Sequence, residues 1–231
     1  MASTPRASGN NIPPKIALTG PSGFLAWHIR CHFRAHYGVE PTLISRDELL
    51  NEERLAAALS DVESVIHLAG VNRSASDFEI AAGNTEIATA LVRGIQRSRR
   101  SIFVAFANSI QSGNNTPFGE SKMEAARILN TGTNGQCANS LLPNIFGEHG
   151  LPHYNAFIAT FCSELAQKGK PRVIHDRKLN LLHAQDAAQH LVDVAAAKIP
   201  GDREPRGTDQ TVSGVLAELE SFADGYETGQ L

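Results

Sequence analysis

Gly20, Gly23 and Ala26 stand at three-residue spacing where the apolar run Lys15-Ile16-Ala17-Leu18-Thr19 gives way to an amphipathic segment. Small residues in that pattern bring backbone against an anion. Gly20 permits a tight exit from a strand, Gly23 lets main chain approach a pyrophosphate, and Ala26 lets the next helix pack close to a sheet. The free N–H groups and positive dipole end of that helix supply the attraction. The expected ligand is therefore a dinucleotide, held by Gly20, Ser22, Gly23, Phe24 and Leu25. A second apolar run ends in Ser45-Arg46-Asp47, the place where nicotinamide cofactors are told apart. An acid there grips the ribose hydroxyls of NAD, whereas arginine accommodates the ribose phosphate of NADP. Arg46 comes first and Ser45 adds a hydroxyl, while Asp47 is well placed to cap the following helix. NADP(H) is the expected cofactor, with NAD(H) as the alternative.

These residues need elements to hold them. Lys15–Thr19 reads as a buried parallel strand and Ser22–Tyr37 as a helix carrying Leu25, Ile29 and Phe33 on one stripe, closed by Gly38. Pro41–Ser45 is a second strand, Asp47–Leu59 a helix, and Ser64–Gly70 a third strand ending in small residues. A long helix over Asp77–Arg97, the strand Ser101–Ala107, a helix opened by Pro117 and running to Leu129, and the strand Ala138–Leu142 follow. Alternation of this kind implies an α/β fold, with a parallel sheet covered on both faces. Tyr154–Gln167 reads as one more helix. Beyond it, Pro171–His175 and the helices Ala184–Ala197 and Ser213–Ala223 read as a small C-terminal cap, contributed mainly by 147–182 and 200–231. Residues 1–14, rich in Ser, Pro and Asn, read as a disordered tail, neither signal peptide nor anchor, before a single domain over 15–231.

Composition narrows the class further. With 231 residues, 42% hydrophobic and 19% charged, the chain can bury a full core, and a net charge of −3 gives no electrostatic case for nucleic acid or an anionic membrane. No apolar run is long enough to span a bilayer. Cys31, Cys137 and Cys162 are few and irregularly spaced, so they read as apolar packers in a reducing compartment, and the expected location is cytoplasmic. His28, His32 and His36 recur every fourth residue, a spacing able to hold a metal. No carboxylate or cysteine completes a site on that face, and no metal is expected.

A set of phrases in fixed order carries a more specific reading. His67-Leu68-Ala69-Gly70-Val71-Asn72-Arg73, Ser109-Ile110-Gln111, Pro117-Phe118-Gly119-Glu120-Ser121-Lys122, Pro143-Asn144-Ile145-Phe146-Gly147 and Tyr154-Asn155-Ala156-Phe157 follow one another along the chain. Together they resemble the extended short-chain dehydrogenase/reductases of the epimerase/dehydratase kind that act on nucleotide sugars. The similarity is greatest to the reductase domains of capsule-biosynthesis enzymes in the UDP-N-acetyl-L-fucosamine pathway, and it runs from about Lys15 to Ala223. It implies a Rossmann-type doubly wound sheet, NADPH, and reduction of a 4-keto group on a UDP-deoxysugar for surface polysaccharide. Those relatives also carry a C-terminal cupin domain for epimerisation, for which the resemblance finds no counterpart here.

The resemblance assigns roles residue by residue. Family members place a general acid/base tyrosine four residues before a lysine that holds the nicotinamide ribose and lowers the phenol's pKa. Lys122 matches the lysine, and Phe118 falls on the tyrosine. The serine or threonine that binds the carbonyl falls on Ala107, with Ser109 as the nearby substitute, and Leu141 falls on an arginine common before the Pro-Asn pair. Leu68, Ala69, Gly70 and Asn144 are expected at the cofactor, and Asn72, Arg73, Asn144, His153, Asn155 and Arg177 at the sugar nucleotide. Two functions remain open on these residues: an oxidoreductase or epimerase-type enzyme with altered acid catalysis, or a non-catalytic NADP(H)-binding pseudoenzyme acting as sensor or partner subunit. Family dimers pair through two long helices, here Asp77–Arg97 and Pro117–Leu129, so a homodimer or association with an active relative is expected.

Overall fold

Parallel strands buried on both faces need apolar side chains pointing both ways, and Ile16, Ala17, Leu18 and Thr19 are all buried. In the computed structural model, which describes residues 12–72 and 76–229, they form β1 (Ile16–Thr19). The chain continues through α1 (Phe24–Tyr37), β2 (Thr42–Ile44), α2 (Arg46–Leu49), α3 (Glu52–Ala58), β3 (Ser64–His67), α4 (Asp77–Ser98), β4 (Phe103–Ser109), α5 (Pro117–Gly132) and β5 (Cys137–Leu142). It ends with β6 (Asn144–Phe146), α6 (Phe157–Ala166), β7 (Lys178–His183), α7 (Ala184–Ala197), β8 (Gly201–Arg203), β9 (Thr208–Thr211) and α8 (Val212–Thr228). Six strands form one parallel sheet in the order β2-β1-β3-β4-β5-β8. The order reverses at β1, whose Thr19 pairs with Ile44 on one side and His67 on the other. A crevice at the carboxyl ends of β1 and β3 is where such a sheet binds ligands.

Each face of the sheet has its own core. On one, Leu55, Leu91, Val92 and Leu129 of α3, α4 and α5 pack over Val65 and Val104. On the other, Ala26, Ile29 and Phe33 of α1 meet Ala187, Leu191 and Ala195 of α7 over Ile16, Leu18 and Ala105. The helix Ala184–Ala197, expected in the cap, is thus a core helix whose alanines let it lie close to the strands. Glycine allows similar closeness at Gly94, where a Cβ would come within 2.2 Å of Leu55.

One further expectation changes in detail. The helix expected over Asp47–Leu59 breaks in two because Asn51 caps a new start, its side chain accepting from the N–H groups of Glu53 and Arg54. Beyond Pro171–His175, which carries no regular element, Lys178–His183 builds a second sheet with β6 and β9 in the order β6-β7-β9, which periodicity alone did not reveal. The tail expected over 1–14 lies almost wholly outside the described residues. Among the described residues no helix is long and apolar enough to cross a membrane.

Candidate active site

β1 delivers Gly20 at φ 67°, and a Cβ there would lie 3.1 Å from the backbone of Ala69. Only hydrogen fits where the exits of β1 and β3 approach. The turn closes with the Gly23 N–H donating to the Gly20 carbonyl at 3.1 Å. Gly23 is the N-cap of α1, where no side chain caps the helix and its first turn carries no acid. The leading N–H groups are thus left to an external anion, which fits a pyrophosphate.

Thr19 braces the facing edge. Its Oγ1 accepts from the N–H groups of Leu68 (3.1 Å) and Ala69 (3.2 Å) and lies 2.8 Å from His67 Nδ1. A hydroxyl that accepts twice has one proton to give, so Thr19 donates to Nδ1 and the His67 proton sits on Nε2. Burial, with the nearby Lys122 charge adding to it, pushes the His67 pKa down to about 3, and the ring is neutral at neutral pH.

The second wall is set by α5. Thr116 caps it by accepting from Gly119 N–H at 3.1 Å, and Pro117 begins it without needing a donor. One turn on, Lys122 is 7% exposed, with Nζ donating to the Ala107 carbonyl at 3.1 Å and lying 4.4 Å from the Phe106 ring centre. Burial alone lowers its pKa to about 8. Buried Asn84 of α4 fastens this wall to the exit of β3: it accepts from Val71 N–H (2.9 Å) and donates to Val71 O (3.0 Å) and Ser121 Oγ (3.0 Å). Ser121 in turn donates to the Phe118 carbonyl at 2.7 Å.

Between these walls opens a cleft of about 890 Å³. Gly20, Gly23, Phe24, Leu25 and Leu68 line it beside the glycine turn. Ala107, Ser109, Phe118 and Lys122 line the middle, where Ser109 Oγ accepts from Gln111 N–H at 3.1 Å and keeps its own proton to give. Asn72, Asn144, His153, Asn155 and Arg177 line the far side. His153 and Asn155 hold left-handed backbone at φ 60° and 52°, a region that histidine and asparagine enter more readily than most side chains. The expected residues are therefore largely brought together across more than 150 positions of sequence.

Others lie apart. Ser22 is exposed in the turn, outside the cleft lining, as are Ala69 and Gly70, whose parts are the Thr19 bond and a close approach to Asn84. Arg73 lies outside the described residues. Ser45 and Arg46 are exposed at the end of β2, beyond the cleft lining. Ser45, not Asp47, caps α2: its hydroxyl accepts from Glu48 N–H, while its own N–H and hydroxyl donate to the Glu48 carboxylate at 2.8 and 2.6 Å. The hydroxyl bond, then the N–H bond, holds that carboxyl below the usual range. His28, on the metal-like spacing, turns inward to the Glu148 carbonyl at 3.0 Å, while His32 and His36 stack on each other.

Asn108, Gln111, Phe157, Thr160 and Leu179 also line the cleft and were not expected. Asn108 had a legible signal, a buried amide at a strand end; it donates to Asn139 at 2.8 Å and accepts from Ser109 N–H at 2.9 Å. Leu179 had none, because its strand was not foreseen.

A reversed parallel sheet with a glycine turn after its first strand and a buried lysine on the helix beside β4 is the architecture of the extended short-chain dehydrogenase/reductases, to which the chain is similar. No family model matches it. Over 189 residues it is 28% identical to the UDP-2-acetamido-2,6-beta-L-arabino-hexul-4-ose reductase of Pseudomonas aeruginosa, covering 80% of this chain and 50% of that protein. The chain thus spans about half the length of the curated relative it matches. Among solved structures it superposes on a UDP-N-acetylglucosamine 4-epimerase from Bacillus cereus with a TM-score of 0.78 at 21% identity, over 90% of this chain and 81% of that one. The capsular polysaccharide assembling protein CapF from Staphylococcus aureus gives a TM-score of 0.76 at 25% identity, over 91% of this chain and 59% of that one.

Proposed function

We propose that this chain is a nicotinamide-dependent reductase domain acting on a nucleotide-linked keto-deoxysugar in the cytoplasm, with NADP(H) preferred. One observation carries the reading: a single cleft joins the Gly20–Leu25 turn and Lys122 to the polar far side formed by Asn144, His153, Asn155 and Arg177. The activity of the Pseudomonas relative, reduction of a UDP-linked hexulose, agrees with it. In this reading the N-terminus of α1 holds the pyrophosphate, and Arg46 meets the ribose phosphate. Lys122 holds the nicotinamide ribose, and Arg177 pairs with the diphosphate of the sugar nucleotide. A bound nicotinamide supplies the hydride. Ser109, with its hydroxyl proton free, donates to the substrate carbonyl and so stabilises the charge that develops there.

The test is single-turnover oxidation of bound NADPH, followed by absorbance, with and without a UDP-4-keto-6-deoxysugar. Substrate-dependent oxidation is the expected result. A second reading, a cofactor-binding pseudoenzyme that pairs with an active relative or with its own copy through α4 and α5, is favoured by the lack of a hydroxyl at both Phe118 and Ala107. Tight NADPH binding without oxidation, from a sugar preparation that an active reductase consumes, establishes that second reading instead.

A further inference from the structure

We propose that Lys122 is itself the proton donor to the substrate carbonyl, doing directly what a phenol at position 118 would do. The proposal rests on the reductase reading above. Phe118 and Lys122 line the same cleft one helical turn apart, and of the two only the lysine carries a transferable proton. Among the described residues the Nζ has one protein acceptor, the Ala107 carbonyl, so two of its three N–H bonds remain for ligands. One can serve a ribose hydroxyl and the other the carbonyl oxygen, directly or through one water.

The surroundings make this ammonium a better acid than an ordinary lysine. From β3 it faces the His67 imidazole, which the Thr19 hydroxyl holds as the neutral Nε2–H form. From β4 it faces the Phe106 ring and the Ala107 carbonyl. On α5 its neighbours are Phe118 and Ser121, and behind Ser121 stands the Asn84 amide of α4. None of these groups is anionic, and burial is the one cause of its lowered pKa among the described residues. A buried ammonium with no counterion among the described residues gives up its proton near pH 8, close to working pH, where general acids are most effective.

The step balances as follows. The substrate carbon accepts a hydride from the reduced nicotinamide, which is oxidised, and the ketone is reduced to an alcohol. The C–O π electrons move to oxygen, which takes a proton from Nζ as that N–H bond breaks. Lys122 is left as a neutral amine and regains a proton from solvent.

Two measurements test this. In ligand-free protein with isotopically labelled lysine, the Lys122 side-chain NMR signal, assigned by its absence in Lys122→Met, is expected to titrate near pH 8. Titration near the ordinary value of about 10.4 overturns the proposal whatever the activity. Single-turnover hydride transfer is then followed from pH 6 to pH 10 in the wild type and in Lys122→Arg. Arginine keeps the positive charge and hydrogen-bonding reach but cannot release a proton. Expected are a wild-type rate that falls tenfold per pH unit above the lysine titration, and a loss of about 10²–10⁴-fold in Lys122→Arg with NADPH affinity largely kept. If arginine restores the rate, or the wild-type rate ignores the lysine titration, Lys122 only holds the ribose and the proposal is wrong. Absence of any turnover in a wild type that binds NADPH removes the reductase reading, and the proposal falls with it.

Discussion

Phe118 has the shape of a tyrosine without a phenolic proton, so under the proposed reductase reading single side chains decide whether the cleft does chemistry. The double substitution Phe118→Tyr with Ala107→Ser supplies an acid and a carbonyl donor, each typically worth about 10²-fold or more. Because both act on one transition state, the combined gain in hydride transfer is expected to exceed tenfold but not to reach the product of the two. No gain would show that the sugar pocket differs from that of the relatives. Arg46 is expected to set cofactor choice. Arg46→Ala should weaken NADPH binding about tenfold or more, through loss of a charge-assisted bond, and leave NADH nearly unaffected; equal losses for both cofactors would refute the assignment. Gly20→Ala forces a side chain into left-handed backbone against Ala69, and a stability loss of at least about 1–2 kcal/mol should appear in urea denaturation.

Elements, rather than residues, hold the two walls apart. Asn84 links α4 to the exit of β3 and to α5, and its removal leaves the Val71 N–H without its acceptor. Asn84→Ala is expected to cost about 1–3 kcal/mol and to speed hydrogen exchange at the Val71 amide. Unchanged protection at Val71 would mean that the helices alone position that loop. The helix α7 offers a test of its core role. Leu191 is fully buried between α1 and the sheet, so Leu191→Ala should lower global stability by about 2–5 kcal/mol. A helix belonging to a loosely attached cap would instead melt by itself and leave the main transition in place.

On the scale of the whole molecule, buried histidines tie stability to pH. The folded pKa of His67 is about 3 against an ordinary 6.5, so between those values the unfolded chain holds a proton that the folded chain does not. Stability therefore falls as pH drops through that window, by up to about 1.4 kcal/mol per unit from this group. Burial shifts His28, His32 and His190 the same way. Lys122 acts at the other end: between about 8 and 10.5 the unfolded chain again binds more protons, and stability rises with pH there. Urea midpoints should climb from pH 5 to pH 7.5, and the slope should shrink in His67→Gln. An equally steep slope in that variant would shift the cause to the other histidines.

Much of this was legible in the residues themselves. Local apolar runs marked β1, β3 and β4, and 3.6-residue periodicity marked α1, α4 and α5, because burial on a parallel sheet imposes those patterns on each segment separately. The glycine turn and the Phe118–Lys122 pair were readable for the same reason, as short spacings fixed by one turn of backbone. Other features depended on partners distant in sequence. Strands as short as β6, β8 and β9 carry no period, and exist because an open sheet edge or a neighbouring strand accepts their hydrogen bonds. Whether a polar helix end belongs to Ser45 or Asp47 was settled by Glu48 reaching back. The wall that buries Lys122, with neutral His67 and Phe106 side by side on neighbouring strands, assembles from three elements spread over more than fifty residues of the chain. Sequence supplied the lysine, and only tertiary packing buried it and placed no counter-charge beside it among the described residues.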